Sequence, residues 1–234
     1  MRGPQVVLPF INPKGQTVPE LTPVGPYAYQ LFPYVKFSQT HVNGIDADFA
    51  MRFDLQNAGH LTGSLNYSHR FHYIFGFGAD SFDLAGTHGP EIISGGTGNP
   101  KDRATASLSW DKGPANLTLS VNYVGHFNLT DPSIGLDSCD EALNSNFPRF
   151  ATGVEPTGLG SWCTVSHFTT FNLYGQYNLS GHLSLHASVL TLFDTPPPLD
   201  LQTYGGSNGS AYDPSLHQAG AVGRFFNVGF NYQF

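Results

Sequence analysis

Charge is what this sequence has least of. Of its 234 residues, 10 are Lys or Arg and 17 are Asp or Glu, 12% in all, where soluble domains average about 25%. From Pro156 to Phe193 there is no Asp, Glu, Lys or Arg. The scarcity of basic residues and the net charge of -7 exclude the footprint of a nucleic-acid binder. No apolar run approaches the roughly 20 residues of a membrane-spanning helix. Cysteine is nearly absent. Cys139 and Cys163 are the only two, and their spacing fits no CxxC metal pattern. They sit in polar loop sequence, which leaves two free thiols or, the preferred reading, a disulfide formed in an oxidising compartment. Such a bond closes a loop of roughly 24 residues and contributes about 3 kcal/mol by chain entropy. Catalytic signatures are missing too: there is no GxSxG, Walker loop, HExxH, or GxGxxG after a strand. The chain is therefore not expected to be an enzyme, and no cofactor or metal is implied. The apolar stretch after Met1 is too short, and too broken by Pro9, to be a signal-peptide core.

What is present is apolar and strongly periodic. Hydrophobic residues make up 40%, and aromatics 14%, which is the wrong composition for disorder. Ile45, Ala47, Phe49, Met51, Phe53 and Leu55 alternate with Asp46, Asp48, Ala50, Arg52 and Asp54. Period two over that length is a strand with one apolar and one polar face. The pattern recurs six times. Leu61, Leu65, Tyr67, Phe71, Tyr73 and Phe75 share a parity, as do Ala104 to Trp110, Leu117 to Phe127, Phe171 to Leu179, Leu183 to Phe193, and Val222 to Phe234. Strands of about 10 to 16 residues exceed the globular mode of about five or six and reach the roughly 9 to 11 that cross a membrane. No convincing amphipathic helix is visible.

The connections alternate in length. Residues 56–59, 112–114 and 180–181 form short turns; residues 76–100, 129–165 and 195–220 form long, Gly- and Pro-rich loops. Short turns at one end and long loops at the other characterise an outer-membrane β-barrel. In lipid, a sheet must close so that every backbone group is paired. The expected fold is thus all-β, an antiparallel transmembrane barrel with about seven long strands. An odd count suggests that N-terminal strands are missing. Residues 1–33, which carry Pro4, Pro9, Pro13, Pro19, Pro23, Pro26 and Pro33, read as a truncated surface loop, and residues 34–234 as the barrel portion. Two alternatives stay open: a complete small outer-membrane barrel acting structurally or as an adhesin, and a secreted carbohydrate-binding β-sandwich.

Four segments carry a family resemblance. Val42-Asn43-Gly44-Ile45-Asp46-Ala47-Asp48 resembles a G-I-D/E strand start of TonB-dependent receptors. Thr191-Leu192-Phe193-Asp194-Thr195-Pro196-Pro197 resembles their N-L-F-D-x-x-P element, with Thr191 in place of the usual Asn. Gly223 to Phe234 resembles their closing strand, and Arg103 to Trp110 also fits. The likeness covers roughly residues 40–234. It implies the last third of a 22-stranded Gram-negative outer-membrane transporter for a ferric siderophore or another large, scarce nutrient. The plug and the TonB-contacting box have no counterpart, so TonB is a partner only through the missing N-terminal part, and this chain by itself is not expected to transport. The signal peptide is likewise missing.

The candidate functional residues follow. Val228, Phe230, Tyr232 and Phe234 share a parity in the closing strand, and the resemblance implies that they signal to the barrel-assembly machinery. Asp46, Asp48, Arg52, Asp54, Arg70 and Arg103 fall on the polar parity as lumen-facing charges, to line a substrate path or contact a plug, against the plainer reading of a solvated wall. The expected partners are outer-membrane lipid on the apolar parity and, by resemblance, an iron complex. Cys139 and Cys163 are the disulfide candidates.

Overall fold

The computed structural model describes residues 8–11, 17–20, 38–77, 80–88, 98–132, 135, 163–200 and 211–234. The chain forms two compact units, Met1–Phe37 and Ser38–Phe234. In the first, β1 (Leu8–Ile11) pairs antiparallel with β2 (Thr17–Glu20). The second contains β3 (Ser38–Asp54), β4 (His60–Phe77), β5 (Asp80–Asp83), β6 (Asp102–Lys112), β7 (Ala115–Val124), β8 (Phe127–Asn128), β9 (Thr164–Val165), β10 (Phe168–Asn178), β11 (Leu183–Leu190), helix α1 (Pro214–Val222) and β12 (Phe225–Tyr232).

Eight strands form one antiparallel sheet: seven follow in the order β12-β11-β10-β7-β6-β4-β3, and the short β5 pairs with the end of β4 off that path. Each long strand pairs with its successor among the long strands, as period-two sequence joined by tight turns predicts. The turn after β3 is a 3-10 turn, Gln56–Ala58. Gly113, at φ 54°, sits in the turn after β6, where left-handed backbone favours glycine. Short turns close one end of the sheet, and the long connections leave from the other.

The register gives the sheet two chemically distinct faces. Met51, Gly63, Leu108, Leu119, Leu173, Val189 and Phe226 form a continuous row across all seven strands. The next row is Phe53, Leu61, Trp110, Leu117, Gly175, Ala187 and Val228. On the opposite face, one row reads Arg52, Thr62, Ser109, Thr118, Tyr174, Ser188 and Asn227. A one-residue slip anywhere would exchange the faces.

The periodic reading fails at one place in β4. Gly44 pairs with Arg70, but Asn43 pairs with His72, so Phe71 is an extra residue. This β-bulge reverses the alternation beyond it. Tyr73 and Phe75, which share the apolar parity in sequence, turn to the polar face, and the Arg70 guanidinium lies over the Tyr73 ring at 5.2 Å. Gly44 permits the bulge, because a Cβ there would stand 2.3 Å from the His69 carbonyl oxygen. Gly44→Ala is therefore expected to loosen the β3–β4 pairing, seen as faster amide exchange at His72, whose N–H donates to Asn43 Oδ1, with the β6–β7 ladder unchanged.

Three other expectations are corrected. Phe193 and Val222 are not strand residues: β11 ends at Leu190, and Val222 ends α1. Phe127 does not join the apolar sheet face. It is fully buried in β8. Helix α1 was not expected from apolar periodicity, because its sequence PSLHQAGAV is small and polar. Its legible signal is Asp213-Pro214, an N-cap followed by proline at the first helical position.

Candidate functional site

The apolar face is solvent-accessible along its length. Phe49 is 60%, Met51 54%, Phe226 65% and Val228 82% exposed. No described helix or second sheet covers it. An uncovered apolar area this large marks an interface. Its rows are ordered by height. Near the long-loop end stand Tyr67 and Tyr123, both flanking Ala104, with Phe71 above them. Near the short-turn end stand Trp110, Tyr177 and Tyr232. The Trp110 Nε1–H donates to the Ala58 carbonyl oxygen at 2.8 Å. Leu, Val, Ala, Met and Phe fill the rows between. From the Tyr123 row to the Tyr177 row is eight strand positions, about 27 Å before any tilt, against about 25 Å for the apolar band of membrane barrels.

The polar face is cross-linked by side chains. Ser64 and Ser107 hydroxyls lie 2.7 Å apart, and those of Ser109 and Thr118 2.8 Å apart. Asn66 donates to Asp48 at 2.5 Å, and Asn116 to Asp111 at 2.7 Å. The Tyr174 hydroxyl donates to Gln176, and Gln176 to Asn178. Register places Asp46, Asp48, Arg52, Asp54, Arg70 and Arg103 together on this face. The ion pairs among the described residues are all His–Asp contacts, so none of these arginines has a described carboxylate within 4 Å.

At the long-loop end, the connections knit into a cap with its own small core of Phe127, Leu129 and Val165. Phe168, on the polar parity of β10, is 4% exposed, and its ring meets α1 at Gly220. The cap thus seats against the polar face. Its hydrogen bonds join distant segments. His88 N–H donates to the Thr130 carbonyl, Asn128 N–H to Gly86, and Leu129 N–H to Cys163. Asp213 is fully buried, and its Oδ2 accepts from Gly98 N–H at 2.8 Å while Oδ1 accepts from Ser215 N–H and Oγ. The positive end of α1 favours that carboxylate. His88 Nε2 lies 3.1 Å from Asp200 Oδ2, with both groups buried. In the outer hairpin, burial raises the Asp83 carboxyl pKa. Hydrogen bonds from His72, Tyr73 N–H and Ala85 N–H outweigh that effect and hold the group below the ordinary Asp value. Among the described residues, no three His, Cys, Asp or Glu side chains are placed to hold a metal ion.

The corner after β11 explains the segment Thr191 to Pro197. Thr191 has φ 48° and Asp194 φ 55°, left-handed values that Asn adopts more readily than β-branched Thr. Thr191 N–H donates to Asn172 Oδ1, and Asp194 Oδ1 accepts from Arg224 N–H at 2.8 Å. The corner therefore ties the end of β11 to the start of β12. In the closing strand, Val228, Phe230 and Tyr232 lie on the apolar face, and the Tyr232 ring meets Phe234 edge-on at 5.2 Å. Cys163 is disulfide-bonded, and Cys139 lies outside the described residues. If the two are partners, alkylation adds no mass to the protein before reduction and two alkyl groups after it; two groups before reduction would refute the pairing.

Fold and faces together define an antiparallel β-wall with an accessible apolar side, a polar side and a structured cap at one end. No family model matches the sequence, and no curated protein matches it. Among solved structures, the chain is similar to two mutant forms of the ferric enterobactin receptor PfeA from Pseudomonas aeruginosa. Identities are 19% and 20%, with TM-scores of 0.45 and 0.44, and each alignment covers 82% of this chain and 22% of the receptor. It is also similar to the copper transporter OprC, at 14% identity and a TM-score of 0.39, over 86% of this chain and 29% of that one. The chain thus spans less than a third of each of these proteins.

Proposed function

We propose that this chain forms part of the wall of a TonB-dependent outer-membrane receptor, a transporter for ferric siderophores or another large, scarce nutrient. The observation that carries the membrane reading is the unbroken, accessible apolar face with aromatic rows at two heights, backed by a polar face of Ser, Thr, Asn, Gln and charged residues. A carbohydrate-binding sandwich would bury one face under a second sheet. The receptor assignment is finer. It rests on the Gly44-Ile45-Asp46 strand start, the Thr191 to Pro197 corner and the aromatic closing strand.

Strand directions bear on closure. In a seven-strand meander both edge strands, β3 and β12, run the same way. Head-to-tail joining of copies would therefore make a parallel seam, and antiparallel closure takes an odd number of further strands. The polar face then lines a lumen, where Asp46, Asp48, Arg52, Asp54, Arg70 and Arg103 act as wall charges. Val228, Phe230, Tyr232 and Phe234 offer the assembly signal. Energy coupling through TonB and transport itself belong to the whole receptor, in the outer membrane of a Gram-negative cell.

The test uses Trp110, with Trp162→Phe removing the other indole. In vesicles of phosphatidylcholine brominated along its acyl chains, Trp110 fluorescence is expected to be quenched, because its side chain lies on the apolar face. Inserted protein with unquenched Trp110 would refute the lipid-facing assignment.

A further inference from the structure

We propose that His217 is an acid-released latch for the cap seated at the long-loop end of the polar face. Its side chain is fully buried, and neither ring nitrogen has a hydrogen-bond partner. Buried polar groups are rarely left so. The ring instead packs as a hydrophobe. It stacks parallel to Phe127 at 6.2 Å, with an interplanar angle of 2°, and meets Phe168 edge-on at 5.3 Å. Phe127 belongs to the cap core and Phe168 to the sheet, so one imidazole joins α1 to both.

That packing suits only the neutral ring. An imidazolium would bury two N–H donors and a charge with no acceptor in contact. The charged and titratable groups around it are Asp213 at the start of its own helix, Asp200 from the segment after β11, Arg103 from β6, and His88, which meets the Phe127 ring at 6.0 Å. The two carboxylates attract a proton to His217 and Arg103 repels it. Both carboxylates are already engaged, Asp213 by Gly98 and Ser215, Asp200 by His88. Burial dominates and pushes the His217 pKa below its usual 6.5. The sign follows from linkage. With the closed-state value depressed, the open cap binds more protons, so closure is full above about pH 6.5 and weakens as pH falls, by up to about tenfold per unit. Exposure of a lumen on opening rests on the barrel reading above; the latch itself does not.

The test is amide exchange on the full chain in detergent micelles, corrected for intrinsic exchange chemistry, at pH 7.5 and pH 5.5. Protection at Gly98, Asn99 and Leu129 should fall by several-fold to about tenfold in acid, with the β6–β7 ladder unchanged. His217→Phe, which keeps the ring packing, should abolish the pH dependence. Unchanged wild-type protection, or an equal acid loss in H217F, overturns the latch. Should H217F fail to fold, titration of the wild-type His217 Cε1 proton decides: a midpoint below 6.5, with protection already falling from about pH 6.5, supports it, and a midpoint at or above 6.5 refutes it. Neither outcome touches Trp110 quenching, so latch and membrane wall can fail separately.

Discussion

Leu119→Arg is expected to destabilise the membrane-inserted protein by about 2 to 4 kcal/mol, the cost of a charge on the lipid face near mid-bilayer. Ser120→Arg, one residue on, should cost far less. Leu119 stands in the row Leu108, Leu119, Leu173 on the apolar face, whereas Ser120 pairs with Ser107 and Asn172 on the polar face. The comparison holds depth, strand and chemistry nearly constant and changes only the side of the sheet. Guanidinium unfolding in phospholipid vesicles measures it, and equal losses would reject the assignment of faces. Leu185, two rows nearer the short turns beside Tyr177 and Phe230, should show a smaller loss, because the cost falls toward the interface.

The second large effect concerns the cap. A Cβ added at Gly98 would stand 2.2 Å from the Phe127 ring, which is completely buried. Neither side can yield easily. The Gly98 N–H is held by Asp213, and the Phe127 ring is flanked by His88 and His217. Gly98→Ala should therefore cost about 1 to 3 kcal/mol, as overpacked cores do, and should act on the cap alone. Limited proteolysis tests it: new cleavage in the long connections with the sheet strands intact is expected, and an unaltered digest would show that the Phe127 ring has room to move.

The two-faced sheet was legible in the sequence because its cause is local. Alternation at period two, from Phe49 to Phe53 or Leu117 to Tyr123, decides which side chains share a face as soon as the segment is extended, and tight turns at 56–59 and 113–114 force neighbours to pair antiparallel. Asp46, Asp48, Arg52, Asp54, Arg70 and Arg103 were assigned to one face by the same count. Tyr73 and Phe75 were misplaced because a bulge is a property of two strands. Nothing near Phe71 announces it until Gly44 comes opposite and admits the His69 carbonyl.

The cap was illegible for a related reason. Its polar contacts join residues far apart, His88 with Asp200 across 112 positions and Gly98 with Asp213 across 115, and no local periodicity records such pairing. The Asp213-Pro214 signature marks where α1 starts, but not that the helix buries His217 between Phe127 and Phe168. The sequence by itself determined a sheet with one apolar and one polar side, because strand geometry converts alternation directly into faces. Only the tertiary structure decided where that alternation reverses, which loops fold back over the polar side, and which histidine is sealed inside them, because each depends on backbone and side chains that meet only once the sheet has formed.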